Sequence, residues 1–367
     1  METPKIKDVA AFLESLAPRA FQETYDNTGL LTGNPDTQLT GVLATLDCTE
    51  AVVSEAVAMK CNLIVAHHPI IFKGLKKLTG QTYVERTVIA AIKNNIAMYA
   101  AHTNLDNVHQ GVNRKIAEKL GLLKTSILVP RRDTLSKLAT FVPKEYTDRV
   151  TQALHNAGAG QIGNYKDCSF QVAGTGKFQP NENAKPFIGK AGQMESAEEI
   201  RVEVIFPNHL EKSMLKALHE SHPYEQAAYY LSRLENENQE VGAGLIGELD
   251  VADEPIQFLQ RLKKQMNLTY LRHTRPLDQP IKRVAVCGGA GSFLLPDAIR
   301  QGAQAYVSAD FNYHEFFDAE DKIMIADIGH YESEQFTKEL FVEVLSKKFP
   351  TFAINFSKTV TNPISYL

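Results

Sequence analysis

The sequence predicts an α/β protein in which two α/β halves build one domain around an inserted ferredoxin-like α+β segment. Three observations carry this reading. Short apolar runs alternate with amphipathic stretches over residues 1–128, the same alternation returns over 238–367, and the rhythm changes between them, over 129–237. At 367 residues and 44% hydrophobic content the chain exceeds one ordinary core and has material for more than one domain.

In the first half, GVLATLD, NLIVAHH and IAMYAAHT read as buried strands, separated by the helical patterns TEAVVSEAVAMK and YVERTVIAAIKNN. Near-continuous apolar runs of this kind belong to a mostly parallel sheet covered on both faces. The second half repeats the plan with RVAVC, AYVSAD and KIMIADI as strands and SFLLPDAIRQG and ESEQFTKELFVEVLSKK as helices. The middle segment starts after the polar VPRRD and ends in the charged RLENENQE, both surface connections. Within it, KLATFVP, the helix YTDRVTQALHNAG, a strand pair around YKDCSFQVAGTGKFQP, RVEVIFP and the helix NHLEKSMLKALHES follow a β-α-β-β-α order.

Composition narrows the function classes. A net charge of −4 gives no basic field for coating nucleic acid. Four scattered cysteines, Cys48, Cys61, Cys168 and Cys287, form no CxxC pair, which argues against a disulfide framework or a thiolate zinc site. The opening METPKIKDVAAFLESLAP spaces its apolar residues as an amphipathic helix and carries no secretory apolar core; no later run reaches membrane-spanning length. A soluble, cytoplasmic protein is expected.

The chemistry-bearing residues fall just after strands, where open α/β sheets place their ligand sites. His67 and His68 follow NLIVA directly, and at a strand end their side chains can diverge toward neighbouring ions. His102 ends IAMYAA with Asp106 four residues on. His330 and Glu334, at i and i+4 where a helix begins, share one helix face. Each pair alone also fits a structural role, Asp106 or Asn107 as a helix cap for instance. Together, imidazoles and carboxylates without cysteine match zinc, iron or manganese, and five or six such groups exceed one closed tetrahedral site, so two divalent metal ions are expected. Asp310 and His314, another i, i+4 pair, are candidates for orienting a ligand or moving a proton, or mark a solvated helix start. Gly288, Gly289 and Gly291 form a strand-to-helix turn that fits a phosphate or substrate loop and equally a tight structural turn.

DNTGLLTG, AHHPIIF, AAHTNLDNV, VAVCGGAGSFL, AYVSADFNYHEFFDA and DIGHYESE together resemble the Nif-three-like family, the GTP cyclohydrolase I type two homologues, in its longer bacterial form. The resemblance implies a dinuclear site with His67, His68, Asp106, His330 and Glu334 as ligands and Glu334 as the bridge. His102 stands beside it outside the ligand set. It also implies a PII-like insert over 129–237 and subunits closed into a homo-oligomeric ring, commonly a hexamer. Leu245 stands where many relatives carry Arg, and Ala309 where Gly is usual. The function so implied is metal-dependent hydrolysis of a nucleotide or small phosphate compound, zinc being the first choice of metal and His102 or His314 the proton carrier; GTP ring opening is the specific reaction. The alternative is a non-enzymatic, metal-stabilised ring scaffold or sensor that binds a small effector or protein partner.

Overall fold

A computed structural model describes residues 3–366. The chain divides into two compact units, residues 1–129 with 240–367, and residues 130–239. In the first, α1 (Ile6–Leu16) precedes β1 (Gly29–Thr32), β2 (Val42–Thr45), α2 (Glu50–Ala58), β3 (Leu63–Ala66), α3 (Tyr83–Lys93), β4 (Ala97–Ala100), the single turn α4 (Thr103–Asp106), α5 (Val112–Leu120) and β5 (Leu123–Arg131). Local chemistry sets several boundaries. Thr49 and Thr82 accept the amides of Val52 and Glu85 and so start α2 and α3, and α5 stops at Gly121, whose φ of 67° a side chain would resist.

The second unit contains β6 (Leu135–Pro143), α6 (Thr147–Asn156), β7 (Phe170–Phe178), β8 (Glu195–Pro207), α7 (Glu211–Ser221) and β9 (Tyr229–Leu234). Its four strands form an antiparallel sheet in the order β7-β8-β6-β9, with Leu138, Val142, Val202, Val204 and Phe206 packed against Val150, Leu154, Met214 and Leu218 of the two helices. The expected strand pair around YKDCSFQVAGTGKFQP is one strand, β7, because its partner is β8 (Val172 opposite Arg201); Ile162 and Tyr165 form only an isolated bridge. The edge strand β9 lay outside the sequence reading.

The chain then continues through β10 (Asn238–Asp253), α8 (Pro255–Gln265), β11 (Arg272–His273), β12 (Ile281–Ala290), α9 (Leu295–Arg300), β13 (Ala305–Ala309), β14 (Met324–Asp327), α10 (His330–Glu334), α11 (Thr337–Lys348) and β15 (Ile354–Phe356). The stretch ESEQFTKELFVEVLSKK, read as one helix, is interrupted at Gln335 and Phe336, which separate α10 from α11.

Two sheets organise this first unit, ordered β1-β4-β3-β2-β15 and β11-β14-β13-β12-β10-β5. Their centres are parallel, as the apolar runs predict, while β1, β10 and β11 pair antiparallel to them. The two-residue period of a strand divides each sheet cleanly. Val42, Val65, Tyr99, Val284, Val286, Val307 and Ala326 face a common core with α1, α5, α8 and α11. Leu43, Ile64 and Met98 turn the other way onto α2 and α3, and Ala285, Tyr306 and Ile325 onto α9. The result is a stack in which both sheets are covered on both faces. Among the described residues no helix is long and apolar enough to cross a membrane.

Phe341 on α11 is fully buried in the core between the sheets. Phe341→Ala is expected to lower the unfolding free energy by about 3–5 kcal/mol in denaturant titration; a loss below about 1 kcal/mol would mean that the two sheets do not share this core.

Candidate metal centre

The carboxyl ends of β3, β4 and β14 deliver the site. His67 and His68 leave β3 through amides that both donate to the Leu46 carbonyl, at 3.1 and 3.0 Å, which fixes the turn and sends the two rings apart, 4.9 Å between centroids. His102 precedes α4, and Asp106 closes that turn with its amide on the His102 carbonyl at 3.0 Å. Past β14, Gly329 takes φ 86° and α10 begins at once, so His330 and Glu334 lie on one helical face. A Cβ at Gly329 would stand 2.4 Å from the Glu332 carboxylate, so this turn requires glycine.

These residues meet. His67 Nε2 lies 3.6 Å from Asp106 Oδ1 and 3.7 Å from Glu334 Oε1, while His68 Nε2 and His330 Nε2 lie 3.0 and 3.3 Å from Glu334 Oε2. Every imidazole is held from behind by its other nitrogen. Nδ1 of His67 donates to the Ala101 carbonyl at 2.8 Å, that of His68 to Asp47 at 2.7 Å, that of His102 to Asp26 at 2.9 Å and that of His330 to Asp310 at 2.6 Å. Such backing fixes the tautomer and turns each Nε2 inward, as metal-ligating histidines require.

The inward atoms are the ones left over. His67 Nε2, His68 Nε2, Asp106 Oδ1 and Glu334 Oε2 are buried without a hydrogen bond, and the 3.0 Å approach of His68 to Glu334 is not directed as one. Buried polar atoms cost about 1–3 kcal/mol each when unsatisfied, so this concentration calls for a further partner. Donor sets whose ligand atoms lie within 4.8 Å of one another are His67/Asp106/Glu334, His68/His330/Glu334 and His67/His68/His102. Nitrogen and carboxylate donors aimed at common points fit a divalent cation.

Electrostatics says the same. Burial opposes a charge on His68 and on His330, yet the carboxylates around them prevail and raise His68 to about 10 (Asp47, Glu334) and His330 to about 11 (Asp310, Glu334). Burial and the Glu334 charge lift Asp106 to about 8, whereas Glu334 itself, despite complete burial, is held well below the usual carboxylate range by His67, His330 and His68. Asp26 resists its burial through His102 and Thr103 and falls to about 2. The carboxylates demand positive charge, which protons or cations can supply.

The profile of the Duf34/NIF3 (NGG1p interacting factor 3) family matches residues 4–363. A Bacillus subtilis protein named GTP cyclohydrolase 1 type 2 homolog is 38% identical over 98% of both chains, and a Staphylococcus epidermidis protein of the same name 36% identical over 99% of this chain and all of its own. The chain belongs to the NIF3 family. Among solved structures, the Bacillus cereus protein related to NIF3 superposes over the full length of both chains with a TM-score of 0.88 at 35% identity. The Staphylococcus aureus protein SA1388 does so at 0.78 and 28%.

Two sequence candidates come out differently in this NIF3 member. The amides of Gly288 and Gly289 already donate to Asn113 Oδ1 and Ser333 Oγ, both at 2.9 Å, so they are not free to cradle a phosphate. The glycines serve packing instead: a Cβ on Gly289, at φ 63°, would lie 2.6 Å from Glu334 Oε1. His314 is exposed on a 3-10 turn, its ring against Tyr313 and Phe317, and none of its described contacts reaches the cluster; Asp310, in the loop between β13 and that turn, is the one that does. Asp47 escaped the sequence reading, although an acid just past the buried strand VLAT follows the pattern of the other strand-end residues. It is steadied in turn by Thr361, from a C-terminal tail whose Ser357, Lys358 and Thr359 all donate to the Glu55 carboxylate.

Metal uptake at neutral pH is expected to expel protons from His68, His330 and Asp106, since all three are raised above neutrality and ligands must be deprotonated. Apparent affinity should therefore climb as pH rises from about 6 to 8, with a calorimetric enthalpy that depends on the buffer's ionisation heat; a flat pH profile in the metal-free protein would contradict this charge arrangement. Asp310→Asn, which weakens the grip on His330 Nδ1, should cut metal affinity by about 10–100-fold with melting little changed.

Proposed function

We propose that the chain is a dinuclear metal-dependent hydrolase acting on a nucleotide or another small phosphate compound. The observation that carries it is the buried set of unsatisfied donors converging around one shared carboxylate, Glu334, which belongs to two of the three donor sets. In this reading His67, Asp106 and Glu334 would hold one cation and His68, His330 and Glu334 the other, with Glu334 shared between the two sets. Zinc is the first choice, with iron or manganese accepted by the same donors. Divalent cations held there supply Lewis acidity, polarising a carbonyl or phosphoryl group and acidifying water at neutral pH.

The chain's own residues supply the rest. His102 carries the proton: Asp26, ionised at neutral pH, fixes its Nδ1–H, and one of its ring nitrogens lies within 4.8 Å of those of His67 and His68. Asp47 and Asp310 are positioning residues for His68 and His330. The name of the Bacillus subtilis relative supports opening of the guanine imidazole ring of GTP as the specific reaction. The β-α-β-β-α-β order of residues 130–239 supports reading that unit as the PII-like insert, separate from the metal chemistry.

The test is metal analysis with a screen of nucleotides and phosphoesters on wild type and on the His330→Ala, Glu334→Ala double variant. The wild type should carry close to two metal ions per chain, and the double variant should lose them together with about a thousandfold or more of any hydrolysis. Activity retained by the double variant would sink the proposal.

A further inference from the structure

The 130–239 unit has a cavity of its own, of about 730 Å³, on the sheet face turned away from α6 and α7. The alternation of β8 explains what reaches it. Val202, Val204 and Phe206 face the helices, so Glu199 and Arg201, which line the cavity, come from the opposite face. On β7, Gly174 stands opposite Glu199 and Val172 opposite Arg201, with Gly176 one step along, opposite Ala197. The loop after β7, including Phe187, lines it as well and is tied in place where the Lys185 amide donates to Glu225 and Gly192 to the Pro180 carbonyl.

Two features make this a built site. Glu199 is only 8% exposed, and its Oε1 accepts the Tyr224 hydroxyl at 2.8 Å, while no hydrogen bond reaches Oε2 among the described residues. Arg201 does not neutralise it, being paired with Glu203 at 2.5 Å. A carboxylate oxygen on a largely buried side chain, left with capacity to spare beside the cavity, asks for a donor. The second feature is the pair of glycines in the middle of an edge strand, a costly choice that marks close approach to the backbone. At Gly176 the approaching group is Glu199 itself, whose Oε2 would be 2.1 Å from a Cβ; at Gly174 nothing lies within 4 Å of where a Cβ would be, and the strand is left bare toward the cavity. Aromatic rings line its rim, Phe187 and Phe178 standing 6.0 and 6.3 Å from Tyr224, and Tyr230 5.3 Å from Phe141.

We infer that this cavity binds a flat heterocycle carrying adjacent N–H donors, of which a guanine base is the type, with its N–H edge on Glu199 and its ring over the bare backbone at Gly174. The volume suits a nucleoside-sized ligand, rings of this kind are held by aromatic side chains, and a carboxylate accepts two parallel N–H groups where an apolar pocket would leave them unpaired. This site is independent of the metal centre, and its occupant is an effector of the unit rather than the group hydrolysed at the metals.

The experiment titrates full-length protein calorimetrically with guanosine, inosine, which lacks the exocyclic amine, and choline, a cation without N–H groups. Guanosine should bind the wild type and the His330→Ala, Glu334→Ala variant alike, inosine more weakly, and choline not at all. Glu199→Gln should weaken guanosine by about tenfold or more, because charge-assisted hydrogen bonds from the base to the carboxylate are lost and the amide presents a donor where an acceptor is needed. Gly174→Val, which places a strand-favouring side chain into open space, should abolish binding with melting unchanged. Absence of guanosine binding at millimolar concentration, unchanged affinity in both Glu199→Gln and Gly174→Val, loss of binding in the metal-centre variant, or choline binding as tightly as guanosine would each overturn the inference. Since the double variant removes only the metal ligands, failure here leaves the hydrolase reading standing, and the reverse.

Discussion

A single buried carboxylate governs the arrangement of the first unit. Glu334, 3% exposed, is met by Nε2 atoms from three histidines, two arriving together at the end of β3 and one on its own helix. Leaving such a charge in the interior is tolerable only if opposite charge surrounds it on several sides. That requirement explains otherwise unrelated details: the glycine at 289 that lets the carboxylate approach β12, the left-handed turn at Gly329 that starts α10 shortly after β14, and the acids that grip the far sides of His68 and His330. The two sheets provide rigidity for this, since every strand feeding the site is buried on both faces and cannot rotate its terminal residue without disturbing a core.

The separation between stability and chemistry is spatially clean. Alternating residues of the parallel strands are committed to one core or the other, and the functional groups begin within the first few residues after each strand. Hydrophobic burial therefore fixes positions to which charge is then added, and the cost of gathering acids and imidazoles is borne by packing that lies outside the site.

Much of this was legible in the sequence because it is encoded locally. Continuous runs such as LIVA and YVSA can only be buried strands here, and His67/His68 and His330/Glu334 are pairs whose spacing is itself the signal. What escaped depended on distant pairing. The strand β15, three residues long, exists because Ile354–Phe356 find β2, and β9 because it finds β6; neither has a periodic signature of its own. Asp47 was missed for a similar reason, as its partner His68 is brought near only by the parallel pairing of β2 with β3. The glycine turn at 288–291 was ambiguous between anion cradle and packing, and only the hydrogen bonds of its amides decide between them.

The tail beyond α11 links the end of the chain to its beginning. β15 completes the sheet beside β2, Ser357 to Thr359 are captured by Glu55, and Thr361 reaches the acid that steadies His68. During synthesis, then, a nascent chain emerging from the ribosome presents the His67/His68 pair and Asp106 long before Glu334 or this strap exists. The donors present at that stage form only an open, partial set, and the carboxylate shared by two of the three donor sets joins them last.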